Sequence, residues 1–198
     1  MQRRRVTRVE QREQTRELLL DAAVEVFSRR GYHGASVDEV AETAGFSKGA
    51  VYSNFASKEE LFLALFDRRL EKQIETWPSI GRYIAPTSDP RPTNERGFED
   101  AIAEDRTWNV LLVEFFLYAM RDERVRQTLA TRLVRLRSLM AEHLAIEFAA
   151  RGVVPRLPIE NLPWAISALG MGLIMQVYLD PAALPANLYE STLEQLLS

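Results

Sequence analysis

The sequence predicts an all-α protein of about nine helices, and three observations carry that reading. Apolar residues recur at three- and four-residue spacing through every strong segment. Serine–glutamate pairs three residues apart, the signature of a helix start, stand at Ser36/Glu39 and Ser57/Glu60. Neither an alternating strand pattern nor an internal repeat breaks the series.

The elements follow in order. Residues 1–10 form a basic arm in which Arg3, Arg4, Arg5 and Arg8 all precede the first acidic residue. The stretch TRELLLDAAVEVFSRRGY places Leu19, Ala22, Ala23, Val26 and Phe27 on one helical face, with Gly31 as its stop. Ser36 opens the short helix VDEVAETA, Gly45 supplies a turn, and Ser47 caps a second short helix over KGAVYSNF. Ser57 opens a longer helix through Leu61, Leu65, Leu70 and Ile74 to the region of Trp77. Residues 81–97, with three prolines, read as a loop. Beyond it, helices are predicted near 98–105, 107–121, 123–151, 159–180 and 186–197.

Composition narrows the function classes. Hydrophobic content of 46% and charged content of 27% are those of an ordinary globular chain. With no cysteine, a disulfide frame, a thiol nucleophile and a cysteine metal site are all excluded. His33 and His143 are the two histidines, too few for a histidine-built metal centre, so no metal and no cofactor are expected. The N-terminus lacks the apolar stretch of a secretory signal, so the expected location is the cytoplasm. Net charge is −3, and the positive charge is local to the N-terminal arm.

The helix over KGAVYSNF is built from weak helix formers. Gly49 alone costs about 1 kcal/mol against alanine. A two-turn helix, a glycine turn and a second short helix form a helix-turn-helix, whose second helix enters the DNA major groove. That use explains the composition. Gly49 and Ala50 permit close approach to bases, and alanine can touch a thymine methyl. Lys48 can reach guanine acceptors or a phosphate, Ser53 and Asn54 offer hydrogen-bonding groups, and Tyr52 carries a hydroxyl on a rigid arm. Val51 and Phe55, four apart, are the inward residues, facing Leu19, Ala23, Phe27, Val40 and Ala41. Ser36, Ser47 and Ser57 mark three helix N-termini, which are anion sites, and Lys58 adds a full charge at the third.

The run ASVDEVAETAGFSKGAVYSNFASKEELFLALF closely resembles the DNA-binding domain of TetR-family transcriptional regulators, and RELLLDAAVEVFSRRGYHG is similar to that family's first helix. The resemblance covers residues 11–71 and includes the spacing of Tyr52, Phe55 and Lys58. It implies that Ser36, Tyr52 and Lys58 contact phosphates, and that Ser47, Lys48, Gly49, Ala50, Ser53 and Asn54 meet bases and neighbouring phosphates. It also implies a three-helix DNA-binding domain; residues 72–198, which resemble the family only in being helical, are expected to form a ligand-binding and dimerisation domain joined to it by a connecting helix. The expected protein is a homodimeric repressor, released from a palindromic operator on double-stranded DNA by an unidentified small molecule.

Within residues 72–198 the segment NLPWAISALGMGLIMQVYL carries no charge. A membrane span has this length. Asn161, Ser167 and Gln176, acidic flanks and the lack of a second span favour burial against the chain's own core and a second subunit. The homodimer is therefore placed on the helices near 159–180 and 186–197, with Leu193, Leu196 and Leu197 adding apolar area. Trp108, Phe115, Tyr118, Met171 and Met175 suit either a core or an apolar pocket, and Glu114 suits either a polar anchor for a cationic or hydroxyl-bearing ligand or a structural partner. Two further readings stand beside the leading one: a DNA-binding regulator without a small-molecule inducer, and a small helical enzyme using Glu114. No catalytic motif supports the enzyme, because His143 and Glu147 make no metal site and no nucleophile elbow or phosphate loop is present. A protein-binding adaptor would leave Lys48 and Tyr52 without a role.

Overall fold

The computed structural model describes residues 7–76, 83–84, 102, 105–182, 184–185 and 187–197. Among them are eight α-helices and a three-residue 3-10 helix. We number them α1 (Arg8–Gly34), α2 (Val37–Ala44), α3 (Lys48–Asn54), α4 (Lys58–Thr76), α5 (Arg106–Ala119), α6 (Glu123–Arg151), α7 (Leu162–Leu179) and α8 (Leu188–Leu197). The helix expected over 98–105 and residue Trp77 lie largely or wholly outside the described residues. The chain divides into two compact units, Met1–Leu70 with Val110–Leu129, and Glu71–Asn109 with Ala130–Ser198.

In the first unit, local sequence sets most helix ends. Thr7 accepts from the Glu10 backbone N–H at 3.2 Å while Glu10 accepts from that of Thr7 at 2.7 Å. This reciprocal cap starts α1 at Arg8, so the last part of the arm expected over 1–10 is helical. Gly31, with φ of +70°, breaks α1 and leaves a single further turn. Ser36 and Glu39 close the expected capping box on α2, and Gly45 ends it in the left-handed conformation. At α4, Ser57 accepts from Glu60 N–H at 3.2 Å, but Glu60 reaches back to the N–H of Ala56.

The core of this unit is an aromatic cluster. Phe62 stacks on Phe115 at 4.1 Å between centroids and meets Phe27 edge-on at 5.5 Å. Tyr32 lies edge-on to both Phe62 and Phe115, at 5.3 and 5.0 Å. Leu19, Ala23, Val26, Val40, Ala41, Val51, Phe55 and Leu61 complete it, all buried. Packing of this kind outweighs the poor intrinsic helicity of α3.

The second unit has its own core of Ile84, Leu144, Phe148, Leu162, Ile166, Leu193 and Leu197. Two expectations change here. Ile84, inside the segment read as a loop, is a core residue. Leu193 and Leu197, assigned from sequence to a subunit interface, fill the chain's own core, because the face of α8 that carries them is the one turned towards Leu162 and Ile166. Only Leu196 of that trio is left partly covered.

The segment Ile159–Leu179 is long and apolar enough to cross a membrane by length and composition. In the chain itself one face of α7 packs on the core through Leu162, Ile166 and Leu173. At about 100° per residue, those three point away from Trp164, Ala168, Met175 and Leu179, which fall within about 60° of one another. That second face is open, with Trp164 60% and Leu179 84% exposed.

Candidate nucleic-acid interface

The helix-turn-helix is α2, the turn Gly45–Ser47 and α3. The Ser47 hydroxyl accepts from the Ala50 N–H at 3.2 Å, so α3 begins at Lys48. Val51 and Phe55 point inward, each about as buried as a side chain can be. Ser47, Lys48, Gly49, Tyr52 and Ser53 are exposed, and Ala50 is half-buried. Nothing but the Ser47 hydroxyl, at 3.7 Å, lies near the position a Cβ on Gly49 would take, so that face is open to an approaching surface. Tyr52 is 47% exposed although its body is apolar.

Asn54, Ser53 and Lys58 have engagements that sequence did not show, and Ser36 has the cap that it did. Asn54 turns back along the helix, donating from Nδ2 to the Ala50 carbonyl at 2.9 Å, and Ser53 Oγ donates to the same oxygen at 2.8 Å. Ser36 Oγ accepts the Glu39 N–H at 3.1 Å, so its hydroxyl is occupied as a cap. Lys58 is directed at the end of α1, where Nζ donates to the carbonyls of Tyr32 at 2.8 Å and Ala35 at 3.1 Å. It also lies 4.6 Å from the Tyr32 ring centroid. A cation on the carbonyl end of a helix is electrostatically favoured. Burial lowers the Lys58 pKa, although the neighbouring Glu59 charge acts the other way.

Other residues at the site were missed. Arg12 and Arg16, one turn apart on α1, donate to the carbonyls of Ser53 and Asn54, each at 3.4 Å. The Arg16 guanidinium also lies over the Phe55 ring, 4.5 Å from its centroid. Both cations sit at the C-terminal end of α3, where unsatisfied carbonyls concentrate negative potential. Their i, i+4 spacing was the available signal. Asp38 on α2 holds the Lys48 ammonium at 2.8 Å from Oδ1, and that hydrogen-bonded carboxylate raises the lysine pKa.

The residues named as pocket walls divide between the units: Glu114, Phe115 and Tyr118 fall in the first, Trp108, Met171 and Met175 in the second. Glu114 Oε2 accepts the Tyr32 N–H at 2.7 Å, in the turn opened by Gly31. A Cβ on Gly31 would stand 2.8 Å from that oxygen. Glu114 is therefore the partner of a backbone amide, a structural role of the kind the sequence left open beside that of a ligand anchor. Phe115 is fully buried in the aromatic core. Tyr118 donates to Glu59 Oε1 at 3.0 Å. In the second unit Tyr178 forms a polar node, accepting from Asn109 Nδ2 at 2.9 Å and donating to the Ile102 carbonyl at 3.1 Å.

A three-helix head with a buried core that displays a short, glycine-containing second helix defines a class, the helix-turn-helix regulators. Residues 19–65 match the family model described as bacterial regulatory proteins, tetR family, and residues 98–198 match that of the BetI-type transcriptional repressor C-terminal domain. The second match alone takes in half of the chain. The protein belongs to the TetR family of transcriptional regulators.

Among curated relatives, the transcriptional activator FasR of Mycolicibacterium smegmatis is 41% identical over 80 residues, 40% of this chain and 35% of that protein. The regulator YfiR of Bacillus subtilis is 32% identical over 124 residues, 58% of this chain and 56% of its own length. The chain thus spans between a third and just over half of these relatives. Solved structures share the fold at low identity. FadR from Bacillus subtilis, in complex with stearoyl-CoA, aligns with a TM-score of 0.56 at 18% identity over 91% of this chain and 96% of that one. A regulator from Saccharomonospora viridis in complex with choline gives 0.61 at 18% identity, over 92% and 95%.

Proposed function

We propose that the protein is a sequence-specific repressor that binds a palindromic operator as a homodimer and leaves it when a small molecule occupies the C-terminal unit. The observation that carries DNA recognition is α3 itself. Val51 and, just past its end, Phe55 are turned inward, and Lys48, Gly49, Tyr52 and Ser53 are presented on a surface with little bulk. Repression is supported by the match of residues 98–198 to a repressor C-terminal domain. The open face of α7 supports the homodimer, since a second copy would bury Trp164, Ala168, Met175 and Leu179 against their symmetry mates. Ligand control is favoured by the stearoyl-CoA and choline complexes of structurally similar regulators. Trp108 and Met171, with Asn109 and Tyr178 as polar groups, form our candidate ligand set in the second unit. A cytoplasmic location accords with this role.

Selection of bound duplexes from a random pool tests the reading. Two copies of α3 related by a two-fold axis yield a motif with two-fold symmetry, its half-sites about one helical turn or a multiple apart. A motif without that symmetry, or none, would overturn it.

A further inference from the structure

We infer that Asp38 is a specificity-determining residue, a carboxylate that withholds Lys48 from DNA in general and releases it to a matching base edge. The inference rests on the DNA-binding reading above. Lys48 is the first residue of α3 and Asp38 the second of α2, so their ion pair spans the two helices of the motif. The ammonium meets both carboxylate oxygens, Oδ1 at 2.8 Å and Oδ2 at 3.0 Å. Both side chains are more than half exposed, 56% and 62%. The neighbouring Glu39 cannot take this role, because it closes the cap on Ser36 and accepts from Arg30 Nε at 3.2 Å.

An exposed ion pair is held weakly and is readily exchanged. What replaces it decides the outcome. A phosphate brings one negative charge to a lysine that already has one, and it brings that charge towards Asp38, which repels it. Exchange with the backbone therefore gains little. A guanine edge offers the O6 and N7 acceptors together and carries no net charge, so Lys48 can move to it without adding an anion beside Asp38. The carboxylate thus weakens binding to every sequence, and weakens it most where no such base edge is available. Specificity is a difference of two affinities, and a repulsive group raises it by lowering the competitor.

The test measures the full-length protein by fluorescence anisotropy on the selected operator and on a scrambled duplex, across a salt series. Asp38→Asn keeps the side-chain shape and removes the charge. The scrambled duplex should bind about 10-fold tighter, with a salt dependence steeper by about one counterion, while operator affinity rises less than about 3-fold. In a Lys48→Ala background the same change should lose most of its effect. An unchanged operator-to-scrambled ratio, a fall in operator affinity, or full persistence of the tightening without Lys48 would overturn the inference. Wild-type protein that distinguishes no duplex would overturn the DNA-binding reading, and this inference with it.

Discussion

α3 and α7 solve opposite problems. α3 has few apolar residues and uses Val51, with Phe55 at its end, on the core, so what remains outside is polar, small or, at Tyr52, amphipathic. α7 has more apolar residues than its own chain can cover. Leu162, Ile166 and Leu173 satisfy the core, and Trp164, Met175 and Leu179 are left over. A shortage of apolar surface marks a helix that reads something polar. A surplus marks one that meets another apolar face. The two readings can be broken separately.

The largest effect is expected inside α3's anchorage. Phe55 is 1% exposed and lies under the Arg16 guanidinium. Phe55→Ala should lower stability by about 3–5 kcal/mol, read from urea unfolding by circular dichroism. Tyr52→Ala, on the outer face, should change stability by less than about 0.5 kcal/mol while weakening operator binding. Equal stability losses would show that α3 has no distinct inner and outer face.

The surplus on α7 gives the next effect, through two glycines. A Cβ on Gly172 meets nothing within 4 Å in the single chain, whereas one on Gly170 approaches Tyr189 at 3.9 Å. Gly172→Arg should leave the chain folded, yield monomers by light scattering, and reduce operator affinity on the order of 100-fold through loss of the second half-site. A Gly172→Arg protein that remains a dimer with full affinity would place the interface elsewhere.

Much of this architecture was legible in the sequence, and the misses share a cause. The capping signals at Ser36/Glu39 and Ser57/Glu60 were readable because they act within one turn. The Thr7/Glu10 box was overlooked because no apolar stripe follows it at once, so α1 begins earlier than its core-facing residues suggest. The direction of a long side chain was not readable. Lys58 lies at the right spacing for a phosphate, yet its ammonium donates to the carbonyls ending α1, 23 and 26 residues away in sequence. Asp38 and Lys48 are likewise 10 residues apart and meet only once α2 and α3 pack. In α8, one leucine pattern serves an internal core or an interface equally well, and burial alone separates them.

The smallest effect sharpens the account of the head, where polar groups are engaged individually and not as a surface. Glu59, near the start of α4, accepts from Tyr118 Oη at 3.0 Å. Burial pushes its pKa up, but hydrogen bonds from the Ser57 side chain, its own backbone N–H and Tyr118 outweigh that and hold it below the ordinary 4.5. The position near a helix N-terminus favours the same ionised form. A carboxyl with a depressed pKa in the folded state stabilises fully above its unfolded value, and that contribution is lost as pH falls through the lower folded value. Glu59→Gln keeps the shape and an acceptor for Tyr118 but removes the charge. The stability difference between wild type and variant should therefore be constant near neutrality, begin to shrink below about pH 4.5, and level off at its smallest value once the folded carboxyl is protonated. Urea unfolding from pH 7 to pH 3 measures it. A difference that stays the same across that range would mean that Glu59 acts through shape alone, leaving the charge on the head without a part in holding α4 to Tyr118.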